Sequence, residues 1–324
     1  LWAVPIDGSS APVRLTADNP AWDTHPVFAP DTSLYWLAME RAGYESDRFG
    51  LRRASFTNGR LGDVESLAED WDRSIGDFRV AADGTVFAVA ADLGERPLFR
   101  IDGTSGAVTK LAGNGSMHGL ALGAGEVVFL RSDLDSPADL FAVPRDGGSE
   151  RRLTTVNAER LAELRFGDYE PFTFAGWNGE TVHGWIVKPA GFETGRRYPV
   201  AFLIHGGPQG SFGNSFHYRW NPQTYAGAGY AAVMVDFHGS VGYGQAFTDS
   251  IRGDWGGKPL EDLQKGLAAA LGRYPFLDGD RVCALGASYG GYMINWIAGA
   301  WPERFDCLVN HDGLFDLRSM YYAT

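Results

Sequence analysis

Two cysteines in 324 residues, Cys283 and Cys307, exclude a fold stapled by many disulfides and leave no cysteine spacing that would hold zinc. Each lies in a short apolar run, Arg281-Val282-Cys283-Ala284-Leu285 and Asp306-Cys307-Leu308-Val309-Asn310, and the expected state is a pair of buried free thiols, with a disulfide as the less favoured alternative. Basic residues are in the minority. With 28 Lys and Arg against 40 Asp and Glu, the net charge of −12 repels a phosphate backbone, so nucleic acid is not an expected partner. No apolar run approaches the roughly 18 residues that span a bilayer as a helix. No leader is read in these residues, but the chain opens at Leu1 rather than Met, which leaves room for a lost leader, so the compartment stays open between periplasm and cytoplasm. Of the seven histidines, His25, His118, His183, His217 and His238 stand in no ligand pattern and are expected at the surface or in packing. Neither a metal nor a cofactor is expected.

What is present is ordinary for a globular protein: 44% hydrophobic and 21% charged residues, with length for about two domains. The two parts differ in periodicity. Residues 1–160 repeat. Leu1-Trp2-Ala3-Val4-Pro5-Ile6-Asp7-Gly8, Leu98-Phe99-Arg100-Ile101-Asp102-Gly103 and Leu140-Phe141-Ala142-Val143-Pro144-Arg145-Asp146-Gly147 each lead to a short second strand such as Arg152-Leu153-Thr154. The units alternate apolar and polar residues, end in Asp-Gly turn chemistry and recur about every 40–50 residues. That pattern predicts three to four blades of a β-propeller, too few to close a ring, with a β-sandwich as the competing arrangement. The propeller is expected to be cut at its N-terminal side.

Residues 161–324 read differently. A charged linker at 159–164 precedes strands at 171–177, 182–189 and 199–205, a helix capped by Asn221 with Pro222 in its first turn, and a strand at 230–236. Leu260, Leu263, Leu267 and Leu271 make one helical stripe, followed by strands at 281–285 and 306–310. Alternating strands and helices predict a mostly parallel sheet covered on both faces.

The chemistry lies between the last two strands. Gly286-Ala287-Ser288-Tyr289-Gly290 follows a buried strand and opens a helix, the strand–G-x-S-x-G–helix context of an α/β-hydrolase nucleophile elbow. The turn is strained, so its flanking positions must be small. Ser288 is the expected nucleophile. The backbone N–H of Tyr289 is one expected oxyanion donor, and Gly207, in His205-Gly206-Gly207-Pro208 after an earlier strand, is the other. Tyr292 and Tyr243, with Trp296, are candidates for an apolar substrate pocket; Trp296 is equally at home in the core. Residues 239–244 are expected to form a flexible loop near the cleft. His205 is expected to brace its own loop. The base is harder to find. In this fold the acid and the histidine follow the serine, yet only 36 residues remain after Ser288. Asp306 and His311 satisfy the order but flank one short strand and could not both turn back, so His311 and Asp312 are read as shaping a turn. The chain is therefore expected to be cut at its C-terminal end as well, and nearly inactive by itself.

Phe237-His238-Gly239-Ser240-Val241-Gly242-Tyr243-Gly244, Asp254-Trp255-Gly256-Gly257 and Gly286-Ala287-Ser288-Tyr289-Gly290-Gly291-Tyr292 resemble the prolyl oligopeptidase family of serine peptidases, in its dipeptidyl-peptidase V and acylaminoacyl-peptidase branch. The resemblance implies an incomplete all-β propeller followed by an incomplete α/β-hydrolase domain. It also implies Ser288 as nucleophile and release of dipeptides or acylated amino acids from short peptides admitted past the propeller. Two other readings stay open: an esterase on the same fold, and a propeller interaction module joined to an inactive hydrolase domain.

Overall fold

The period-two segments of the first part pair as three four-stranded sheets in the computed structural model, which describes residues 1–323. The first sheet holds Asp23–Phe28, Leu34–Ala38, Gly50–Ala54 and Glu65–Leu67. The second holds Ile75–Val80, Val86–Ala90, Leu98–Ile101 and Val108–Ala112. The third holds Ser116–Leu122, Glu126–Asp133, Ser136–Pro144 and Arg151–Arg152. Each sheet keeps its strands side by side in chain order. The Asp-Gly turns do what their chemistry dictates: Gly84 takes φ +82°, and the Asp83 carboxylate accepts the Thr85 N–H at 3.0 Å.

Alternation decides how these sheets bury their faces. In Val86–Ala90, Val86 and Ala88 join Leu37, Leu51 and Phe78 in one apolar cluster, while Phe87 and Val89 join Met117, Val127 and Phe129 in another. Consecutive sheets thus stack face to face, and each fully buried side chain of this size contributes about 1.5–3 kcal/mol. The Arg-Leu-Thr ending has a cause too. Thr154 donates to Asp139 Oδ1 at 2.6 Å and the Arg152 guanidinium pairs with Oδ2 of the same buried carboxylate.

The chain separates into two units, one of Leu1–Arg131 with Asp139–Thr155, the other of Ser132–Ala138 with the residues from Val156 onward. In the second unit the expected linker at 159–164 overlaps a short helix, α1 (Ala158–Ala162), with no buried residue. A six-stranded sheet follows: β1 (Tyr169–Ala175), β2 (Thr181–Val187), β3 (Tyr198–Ile204), β4 (Ala231–Asp236), β5 (Leu277–Ala287) and β6 (Cys307–His311). Their spatial order is β1-β2-β4-β3-β5-β6. The first two strands form an antiparallel hairpin across an Asn178-Gly179 turn in which both residues have positive φ, and β2 pairs antiparallel with β4. The pairs β3–β4, β3–β5 and β5–β6 are parallel.

Helices α2 (Pro222–Gly227), α3 (Gln245–Asp249), α4 (Lys258–Arg273), α5 (Tyr289–Ala300) and α6 (Leu317–Ala323) lie between or after these strands. Asn221 caps α2 by accepting the Gln223 N–H at 2.9 Å, with Pro222 in the first turn. Strand β3 shows the layering. Val200, Phe202 and Ile204 pack with Leu263 and Leu267 of α4 and Met293 and Ile297 of α5, whereas Ala201 and Leu203 pack with Ala226 of α2 and with Leu134.

One sequence expectation fails here. Cys283 and Cys307 are joined as a disulfide, and Cys307 is exposed rather than buried. The cause is register: β5 and β6 run parallel with Cys283 opposite Cys307, and the two Cα atoms are 4.7 Å apart, inside bridging range.

Candidate active site

Strand β3 sends its chain to β4 on one side and lies beside β5 on the other, so the carboxyl ends of β3 and β5 meet where the strand order reverses. In open α/β sheets this is where crevices form. Register pairs Ile204 with Gly286, which brings the loop from His205 alongside the turn at Ser288. Ser288 sits between β5 and α5 with φ +56° and ψ −118° and is exposed. For a residue with a Cβ this is strained backbone. Its N–H donates to the His311 carbonyl at 3.1 Å, and its own carbonyl accepts the Tyr292 N–H at 2.9 Å, opening α5.

The glycines around it are required by close backbone approach. A Cβ on Gly290 would lie 2.2 Å from the Ile204 carbonyl oxygen, and one on Gly286 would lie 2.3 Å from the Gly290 carbonyl oxygen. A Cβ on Gly206 would meet Ser288 Cβ at 3.4 Å, so the loop after β3 rests directly on the turn. Gly206, Gly207 and Ser288 line one cavity of about 450 Å³, walled by Phe212, Trp220 and His311. Tyr289 is the first residue of α5, so its N–H has no intrahelical partner, while its buried ring donates its hydroxyl to the Trp255 carbonyl at 2.7 Å.

The loop that carries Gly207 is held from beneath. His205 is buried and stacked on Phe237 at 4.2 Å; Nδ1 meets the Gly206 carbonyl and Nε2 meets the Ser240 hydroxyl, each at 2.8 Å. Burial pushes the His205 pKa down, which keeps the ring neutral; the Asp236 charge only partly opposes this. Asp236, at the end of β4, accepts from Ser211 Oγ at 2.5 Å, Tyr243 Oη at 2.6 Å and the Phe212 N–H at 3.2 Å.

Several residues stand elsewhere than the sequence led one to expect. Neither Tyr243 nor Tyr292 lines the cavity beside Ser288. Tyr243 is engaged by Asp236 and packs against His183 and Phe247, and Tyr292 packs among Trp255, Tyr289 and Trp296. The loop over 239–244 is anchored: Gly239 and Ser240 are buried, and the Val241 N–H donates to the Gly210 carbonyl at 3.1 Å. His311 lines the cavity, its ring edge-on to Trp220 at 5.0 Å, whereas Asp306 lies at the opposite end of β6 and accepts the Val282 N–H at 2.9 Å. Among the described residues the Ser288 hydroxyl has no hydrogen-bond partner, and no group of three or more His, Cys, Asp or Glu is arranged to hold a metal.

His238 is paired with acids that the sequence did not point to. It is buried; both its backbone N–H (2.7 Å) and Nδ1 (2.6 Å) meet Asp262 Oδ2, and Nε2 lies 3.1 Å from Glu180. Asp262 is wholly buried in α4 and also accepts the Trp177 N–H at 2.7 Å. Burial alone would lower the His238 pKa; the hydrogen bond and charge of Asp262, with those of Glu180, outweigh it and raise the pKa. An acid two places past Leu260 in the stripe was the available signal. The cavity wall was missed as well: Leu134, Phe212 and Trp220 come from segments with no motif of their own.

Comparisons with known proteins point to one family. The model of the prolyl oligopeptidase family matches residues 216–324. Dipeptidyl-peptidase 5 of Schizosaccharomyces pombe is 37% identical over 311 residues, which is 92% of this chain and 44% of that protein. A probable dipeptidyl-peptidase 5 of Emericella nidulans is 37% identical over 333 residues, 97% of this chain and 45% of that protein. A solved acylaminoacyl peptidase in complex with Z-Gly-Gly-Phe-chloromethyl ketone superposes with a TM-score of 0.78 at 26% identity, covering 90% of this chain and 44% of that one. The acylaminoacyl peptidase of Pyrococcus horikoshii superposes with a TM-score of 0.76, also at 26% identity, covering 87% of this chain and 43% of its own. This chain thus spans somewhat under half the length of the relatives it matches. In its motifs, its fold and these likenesses the chain is similar to the prolyl oligopeptidase family, whose model its residues 216–324 match.

Proposed function

We propose that this chain carries the nucleophile and the oxyanion cradle of a serine peptidase that opens short peptides through an acyl-enzyme at Ser288. One observation carries the reading: an exposed serine on a strained strand-to-helix turn, sharing a cavity of about 450 Å³ with the glycine loop after β3. Ser288 Oγ attacks the scissile carbonyl carbon as its proton passes to a base. The carbonyl oxygen gains negative charge, which the N–H groups of Tyr289 and Gly207 receive; one such donor is worth about 3–4 kcal/mol in comparable enzymes. The intermediate then expels the amine and leaves an ester on Ser288, which water hydrolyses.

Among the described residues no acid or base of such a triad is hydrogen-bonded to the Ser288 hydroxyl. The 324-residue polypeptide alone is accordingly expected to be nearly inactive, since loss of the histidine costs on the order of 10⁶ in a serine protease. Three four-stranded sheets stacked in chain order support reading residues 1–160 as a partial β-propeller of three to four blades, and the β1–β6 sheet supports residues 161–324 as a partial α/β-hydrolase catalytic domain. The relatives' names support dipeptides or acylated amino acids as the released product, from short peptides that a propeller cap would admit.

The test is fluorophosphonate labelling of the intact protein, with turnover of dipeptidyl and acyl-aminoacyl anilides. Labelling and turnover are expected to vanish together in Ser288→Ala. Labelling that persists in that variant, or turnover that survives it, overturns the reading.

A further inference from the structure

The cavity beside Ser288 is unusual for so acidic a chain. Aspartate and glutamate number 40 and the net charge is −12, yet not one carboxylate lines the cavity. Its single permanent charge is the guanidinium of Arg219; His205, His217, Tyr225 and His311 are the other ionisable side chains in the wall. Arg219 is exposed, and among the described residues it pairs with no acid: its backbone N–H donates to His217 Nδ1 at 3.0 Å and its guanidinium lies over the Trp220 ring at 5.4 Å. Most arginines placed near acids in this protein are paired, as Arg41, Arg52, Arg73 and Arg152 are.

The backbone under Arg219 is pinned. His217 Nδ1 accepts the N–H groups of both Arg219 and Trp220, the Trp220 ring meets His311, and the next residue, Asn221, caps α2. A guanidinium with a fixed base, a fork of donors and an aromatic plate beneath it suits a planar carboxylate. The rest of the wall, with Leu134, Phe212, Trp220 and Tyr225, is apolar or aromatic and suits a peptide side chain.

We propose that Arg219 is a specificity-determining residue: it receives a carboxylate of the bound peptide in this cavity. The carboxylate is either the free C-terminus of a short peptide or an aspartate or glutamate side chain. The first source would make peptide length, and not only sequence, a determinant of binding. The inference rests on Ser288 marking the reaction centre.

Binding is the readout, in a Ser288→Ala background of the intact protein, so that no turnover is needed. Calorimetry would compare a neutral tetrapeptide as free acid, the same peptide as C-terminal amide, and the amide with one residue changed to glutamate. The free acid, the glutamate amide or both should bind about ten-fold tighter than the neutral amide, as for one charge-assisted contact on a partly exposed group. Which of the two gains identifies the source. Arg219→Gln should bring the ratio to about one, Arg219→Lys should keep part of it, and raising salt should shrink it. Equal binding of all three peptides, or a preference that survives Arg219→Gln, overturns the proposal. Wild-type protein that binds with this preference but hydrolyses none of the peptides would instead count against the Ser288 reading.

Discussion

The Ser288 N–H is held by the carbonyl of His311 at 3.1 Å, so the turn that lifts the hydroxyl is tied to the end of β6. The contact runs through the backbone of His311. Its ring faces Trp220 edge-on, and Asp306, the acid that would have to orient it, is bound to the Val282 N–H at the far end of the strand. In the intact protein His311→Ala should therefore lower kcat by less than about ten-fold, against roughly 10⁶ for Ser288→Ala. Steady-state kinetics of the two variants on one anilide substrate decide it; equal losses would make His311 the base.

The glycines of the elbow are not interchangeable with others in the same helix. Gly290→Ala puts a methyl 2.2 Å from a backbone oxygen of β3, which neither rotamer change nor side-chain movement relieves. A loss of about 2–3 kcal/mol is expected. Gly299, also in α5, has nothing within 4 Å of its added Cβ, and Gly299→Ala should gain about 0.5–1 kcal/mol from helix propensity. Urea unfolding of both variants gives the comparison, with opposite signs expected.

The Cys283–Cys307 bridge spans 24 residues of chain. Closing a loop of that length removes chain entropy from the unfolded state equivalent to about 3 kcal/mol. Thermal unfolding with and without reductant should show that loss, and the Cys283→Ala, Cys307→Ala double variant should reproduce the reduced protein.

Two buried histidines set opposite limits on the stable pH range. His238 has a raised pKa in the fold, so the folded state binds its proton more tightly. Its contribution is complete below the ordinary histidine value of 6.5 and fades as pH climbs through the raised value. His205 has a lowered pKa from burial, so its contribution is complete above 6.5 and fades as pH falls toward the lowered value. Denaturation midpoints measured from about pH 5 to pH 9 should peak near neutrality. The alkaline decline should flatten in His238→Asn and the acid decline in His205→Asn; a decline unchanged in its variant would show that the shift is assigned to the wrong histidine.

The brace under the glycine loop predicts a kinetic split. Ser240 is fully buried, and its hydroxyl is the partner of His205 Nε2. Ser240→Ala removes that partner and should cost about 1–2 kcal/mol of stability. If Gly207 receives the oxyanion, kcat on an anilide should fall several-fold with KM little changed, and Ser240→Thr should restore part of it.

Local chemistry carried much of this protein in plain sight. Alternation fixed the strands, the leucine stripe fixed α4, Asn221 with Pro222 fixed the start of α2, and the small residues at Gly286 and Gly290 announced the bend at Ser288. These features depend on neighbours within one or two turns of chain, where spacing and steric size are readable. Tertiary structure alone decided the rest. The disulfide follows from the register of β5 on β6, and the buried Asp262–His238 pair from the packing of α4 beneath β4. The cavity wall joins Leu134 to a loop about eighty residues later, the Leu134 N–H meeting Asn214 Oδ1 at 3.0 Å. Each is a meeting of segments far apart in sequence. Which segments meet depends on the free energy of burying whole faces together, and no local pattern encodes that sum.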